Sequence, residues 1–177
     1  MSLPNNILFR QTAYLTLAVL LWSAKAPAAD LDLSAGTHAN IADYGFGICA
    51  SLDLTLTAAW APIPEVAIGL ETALGIPLPG GEEDRQTDLT LRATPAIWFR
   101  FGEPEVWAYL KTGCGLDSHL RGGEMQAVLV IIAAAGFAVA PRTLLFHFGL
   151  EISGQYELAG GIPTRAIGLG GFMGYRF

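Results

Sequence analysis

Between Ile48 and Trp60 the chain alternates with little interruption. Ile48, Ala50, Leu52, Leu54, Leu56, Ala58 and Trp60 fall on one parity, and Cys49, Ser51, Asp53, Thr55 and Thr57 on the other. A strand turns successive side chains to opposite faces, so this spacing predicts a strand with one apolar and one polar face. The same pattern recurs along the chain. Val66–Leu78 sets Val66, Ile68, Leu70, Leu74, Ile76 and Leu78 on its apolar face and Glu71 among small residues on the other. Thr87–Phe101 opposes Leu89, Leu91, Ala93, Ile97, Phe99 and Phe101 to Asp88, Thr90, Arg92, Thr94, Trp98 and Arg100. Thr143–Glu157 separates Leu144, Phe146, Phe148, Leu150, Ile152 and Tyr156 from His147, Gly149, Glu151, Ser153, Gln155 and Glu157. The final segment, Arg165–Phe177, places Ile167, Leu169, Gly171, Met173, Tyr175 and Phe177 on one face.

Two further segments need an argument beyond counting. In Val106–Ser118 an outward Trp107 would carry Lys111 onto the same apolar face. If that face met lipid, a Lys near mid-bilayer would cost about 2–4 kcal/mol. Trp107, Tyr109, Lys111 and Asp117 are therefore expected to point inward, with Val106, Ala108, Leu110, Thr112, Cys114 and Leu116 outward. Met125–Ala140 is apolar on both parities, so alternation does not assign its faces. Its Val-Leu-Val-Ile-Ile run favours a strand over a helix, and no 3.6-residue period is present. A shorter Asp30–His38 strand brings the number to eight.

The breaks between strands sort into two kinds. Ala61-Pro62-Ile63-Pro64, Gly102-Glu103-Pro104 and Pro141-Arg142 are tight. His38–Gly47, Pro79–Gln86, His119–Glu124 and Ala159–Thr164 are looser, Gly-rich or charged. They alternate along the chain, as in an up-and-down barrel with short periplasmic turns and longer outer loops. Strands of about 12–15 residues exceed the ~9–11 that cross a bilayer, so their ends should project beyond it.

Composition narrows the setting. Residues 1–28 read as a secretory signal peptide: Arg10 near the start, an apolar Ala13–Trp22 core, and Ala26-Pro27-Ala28 before the cut. Residues 29–177 are then the exported domain. Removing Arg10 and Lys25 with the leader leaves 8 of the 10 basic residues against all 16 acidic ones, a net of −8. That excess argues against nucleic acid as a partner. The chain is 52% apolar without a helical membrane span, which fits alternating strands better than a soluble core. Cys49 and Cys114 fall on opposite faces of their strands and are expected to be free thiols.

On these residues the chain resembles small eight-stranded bacterial outer-membrane β-barrels of the OmpA/OmpX type, without a motif that selects a subfamily. The resemblance rests on the strand pattern and on the last strand, where Met173, Tyr175 and Phe177 match the barrel-closing C-terminal signal. It implies an all-β, antiparallel up-and-down transmembrane barrel in the bacterial outer membrane. Its implied partners are outer-membrane lipid, the barrel-assembly machinery through the C-terminal strand, and other envelope proteins. The inner faces collect charges of both signs, with Asp53, Glu71, Arg92, Lys111 and Glu151 near mid-strand. Opposite charges buried at one level should pair, since an unpaired buried charge is strongly destabilising. An eight-stranded barrel is filled by its side chains, so a plugged interior with a structural or interaction role is expected. The alternatives are a narrow channel for small or apolar solutes and a soluble lipocalin-like barrel with its apolar parity turned inward.

Enzyme chemistry finds little support in the sequence. Ser118 and His119 are adjacent, so a strand sends them to opposite faces. His38 and His119 are expected near the outer rim, and two His without a Cys/His cluster do not specify a metal site. No cofactor is expected, because the Gly168-Leu169-Gly170-Gly171 stretch lacks the strand–loop–helix context of a phosphate cradle. Gly there should make room inside a curved wall.

Overall fold

The computed structural model describes residues 30–43, 48–78, 89–121, 124–141, 145–158 and 165–177. The leader 1–28 with its cut after Ala28 lies outside them, as do Asp88, Leu144 and most of the looser connections. Eight strands follow one another: β1 (Asp30–Asp43), β2 (Ile48–Ile63), β3 (Val66–Pro77), β4 (Leu89–Glu103), β5 (Val106–Arg121), β6 (Glu124–Val139), β7 (Phe146–Glu157) and β8 (Arg165–Arg176). Each pairs antiparallel with the next, and β1 pairs with β8 to close the barrel. Closure gives each described strand a neighbour on both sides, which is what lets strands cross hydrocarbon.

Two of the three expected short turns lie among the described residues and are built as the Pro residues suggest; Arg142 of the third lies outside them. Pro64-Glu65 links β2 to β3, with a register shift between Trp60 and Ile63. Pro104-Glu105 links β4 to β5, entered through Gly102 at φ 122°, a conformation that glycine adopts without steric cost.

Alternation holds around the wall. Leu56, Ile167, Leu169 and Met173 are more than 60% exposed on the outer face, whereas Asp53, Glu71, Lys111 and Glu151 are about 5% exposed inside. A soluble barrel that binds an apolar ligand would need the opposite parity. The outward aromatics Trp60, Phe99, Phe101, Phe146 and Phe177 cluster toward the end that holds the termini. Membrane-spanning barrels carry girdles of aromatic residues at their interfaces in this way. Leu70 shares the outer parity but is only 6% exposed.

Two segments differ from the sequence reading, and the structure decides a third that the sequence left open. β1 does not stop at His38; it continues to Asp43, paired with β2 on one side and β8 on the other. The alternation was concealed because the outer face there carries Thr37 and Ala39 while polar His38 and Asn40 are buried. The β5–β6 hairpin also runs further, with Arg121 opposite Glu124, so His119 lies in a strand instead of a loop. In β6 the structure decides the ambiguous parity: Val130, Ile132, Ala134 and Ala138 point in, and Leu129, Ile131 and Phe137 point out.

Candidate functional site

The barrel interior is organised as a column of three polar levels. At its middle stands Lys111 of β5, whose Nζ donates to Glu71 Oε2 of β3 at 2.7 Å and to Glu151 Oε1 of β7 at 2.6 Å. Glu151 also accepts from the Tyr109 hydroxyl at 2.8 Å and from His38 Nε2 at 3.1 Å. Four strands are thereby joined across the lumen by charge-assisted hydrogen bonds, which are roughly twice as strong as neutral ones.

Toward the loop end, Arg92 of β4 donates to Asp53 Oδ2 of β2 at 3.2 Å and to the Gln155 amide oxygen of β7. It also lies 3.9 Å from Glu71, linking this level to the middle one. Asp117, His119 and Glu157 complete the level, with His119 Nε2 3.3 Å from Glu157 Oε1.

Toward the termini, Asp32 of β1 takes Arg100 at 3.1 Å and faces His147 Nε2 at 3.3 Å. Trp107 packs beneath them, its indole 4.9 Å from the Arg176 guanidinium, 5.9 Å from that of Arg100 and 5.7 Å from the His147 ring. An aromatic face this close to a cation is attractive, and more so when desolvated.

Strand β8 makes space for this column. A Cβ at Gly170 would collide with the His38 ring and the Thr37 carbonyl, and one at Gly174 with the His147 ring. The glycine-rich C-terminal strand therefore sets the floor on which two of the three histidines lie. What remains open between the middle level and the termini is a cavity of about 50 Å³, bounded by Asp32, His38, Glu71, Lys111, His147 and Glu151 among others. A space of that size, lined by these charged groups together with Trp98, Trp107 and Phe172, admits a few waters at most.

The structure brings Asp53, Glu71, Arg92, Lys111 and Glu151 into one connected set. It adds residues the sequence reading did not place there. His38, expected at the outer rim, is buried at mid-barrel against Glu151, because β1 continues past it. Asp32 was legible in principle, since it alternates with Leu31 and Leu33. Gln155 shared the inner parity but carried no charge to mark it. Cys49 and Cys114 are unbridged, as their opposite parities imply. Met173 and Phe177 are exposed on the outer face, and the Tyr175 ring packs edge-on between Phe146 and Phe177 at 5.0 and 4.6 Å.

No protein-family model and no curated protein matches the sequence. Solved structures do match the fold. Neisserial surface protein A aligns with a TM-score of 0.66 at 14% identity, covering 83% of this chain and 97% of that one. The outer membrane enzyme PagL aligns at 0.56 and 11% identity, covering 80% and 97%. The N-terminal β-barrel domain of Pseudomonas aeruginosa OprF aligns at 0.51 and 16% identity, covering 81% and 97%. At such identities the likeness concerns architecture, and it agrees with the strand order and the outward apolar face. The chain has the closed eight-stranded fold of the small bacterial outer-membrane barrels.

Proposed function

We propose that this barrel resides in the bacterial outer membrane with its interior closed to solute flow, as a structural or interaction component of the envelope. The observation that carries this reading is Lys111 held between Glu71 and Glu151, with Tyr109 and His38 on the same carboxylate. Opening a pore would separate these groups and leave buried charges unpaired, which costs several kcal/mol per ion. The small residual cavity agrees with a plug.

Outer-membrane lipid is the partner that the apolar outer face suits. Met173, Tyr175 and Phe177 supply the C-terminal strand signal through which the assembly machinery would engage the chain, after residues 1–28 are removed at export. A non-enzymatic role is supported by the parity of Ser118 and His119: Ser118 shares the outer parity of Leu116, and His119 the inner parity of Asp117. A narrow channel is the second reading, favoured by the polar groups placed along the lumen at Asp32, Glu151 and Asp117.

Single-channel recording in planar bilayers tests the choice. The closed reading expects no sustained conductance steps, and stable ohmic openings would replace it with the channel.

A further inference from the structure

The loop-end level contains a group of side chains that the central plug does not use. Asp117 and His119 are two residues apart on β5 and share its inner face, and Glu157 reaches the same point from β7 across β6. One ligand atom from each lies within 4.8 Å of the other two. His119 Nε2 and Glu157 Oε1 are 3.3 Å apart. Donors around a tetrahedral ion at ~2.0–2.1 Å stand roughly 3.4 Å from one another, so this pair already has the spacing of two ligands.

The second observation is independent of that clustering. Asp117 is 5% exposed, and its Oδ1 has no hydrogen-bond partner among the described residues. A buried carboxylate oxygen in that condition calls for a cation or a donor. Arg92 is the register partner of Asp117 on β4, yet its guanidinium hydrogen-bonds Asp53 and Gln155. Among the described side chains, Asp53, Asp117 and Glu157 thus face one guanidinium and a histidine. Three carboxylates gathered at one level, with His119 neutral as a ligand must be, suit a divalent cation.

We propose that Asp117, His119 and Glu157 form a binding site for a divalent transition-metal ion, with Zn²⁺ as its best-suited occupant. The imidazole decides against Mg²⁺ and Ca²⁺, which take all-oxygen shells, and suits zinc and its neighbours. Three protein donors leave a coordination position for water. The side chains of His119 and Glu157 are each 14% exposed, and the group stands apart from the Lys111 contacts. The inference does not depend on whether the barrel conducts.

The test uses the tag-free barrel, refolded in detergent and stripped with a chelator, titrated with Zn²⁺, Co²⁺ and Mg²⁺. The expected result is one Zn²⁺ per chain by calorimetry and by metal analysis after gel filtration, with no Mg²⁺ uptake at the same concentrations. Co²⁺ should give a visible d–d spectrum, and Zn²⁺ should displace it. Asp117→Asn and Glu157→Gln should each weaken Zn²⁺ at least tenfold, with heat-modifiable gel migration confirming that the variants are folded. Binding unchanged in both folded variants, or no bound Zn²⁺ and no Co²⁺ spectrum in the wild type, overturns the site. Should both variants fail to fold, the wild-type titration still decides: absence of a one-to-one Co²⁺ spectrum rejects the proposal.

Discussion

His38 Nε2 lies 3.1 Å from Glu151 Oε1, a contact between residues 113 positions apart that exists only because β1 closes against β8. The bond places a histidine of the first strand on the carboxylate that also holds Lys111 and Tyr109. Barrel closure and interior chemistry are therefore the same event: the network is completed when the last strand meets the first.

Lys111→Met should expose how much the plug depends on its cation. Glu71 and Glu151 would be left facing each other with their shared cation removed. Breaking a buried pair from one side typically costs about 3–5 kcal/mol. Urea unfolding in lipid vesicles should show a loss of that order, and adding Glu71→Gln and Glu151→Gln should recover much of it. Equal stability of Lys111→Met and the wild type would mean that the ion pairs contribute nothing net.

Gly170→Leu should obstruct closure, because the new side chain meets the His38 ring and the Thr37 carbonyl. The smaller Gly170→Ala should be tolerated better when His38 is also shortened to Ala. Contacting residues show coupling of about 0.5–3 kcal/mol in double-mutant cycles. Strict additivity of Gly170→Ala and His38→Ala would contradict the close approach described above.

Leu56→Arg tests the outward parity. Leu56 is 63% exposed near the middle of β2. An Arg on the lipid face at the bilayer midplane costs about 2–4 kcal/mol. Folding into vesicles should weaken by that amount, seen as a lower urea midpoint and a smaller heat-modifiable fraction on gels. A neutral effect would indicate that this face does not meet hydrocarbon.

Cys114 gives a chemical reading of the same face. It is exposed on the wall, so in vesicles it should resist a charged thiol reagent and react only after the barrel is denatured. A charged reagent does not partition into the hydrocarbon that this face is expected to meet. Rapid labelling of Cys114 by the charged reagent in intact vesicles would place it in water.

Period-two alternation, with the β-branched run of β6, was enough to read eight strands, the lipid-facing set on β2, β4, β5, β7 and β8, and the inward direction of Asp53, Glu71, Arg92, Lys111 and Glu151. The reason is local: a strand's two faces are fixed by residue parity, and a charge on one face excludes that face from lipid. Where the side chains carried no such contrast, only tertiary structure decided. Val130 and Ile132 of β6 point inward and Leu129 and Ile131 outward, although all four are equally apolar, because the register with β5 and β7 sets the strand's rotation. The extent of β1 was hidden likewise, since Thr37 and Ala39 outside contrast weakly with His38 and Asn40 inside. Which carboxylate each cation meets, and the gathering of Asp117 and His119 with Glu157, depend on the diameter and stagger of the closed wall. Those are properties of eight strands together, and no single strand's sequence contains them.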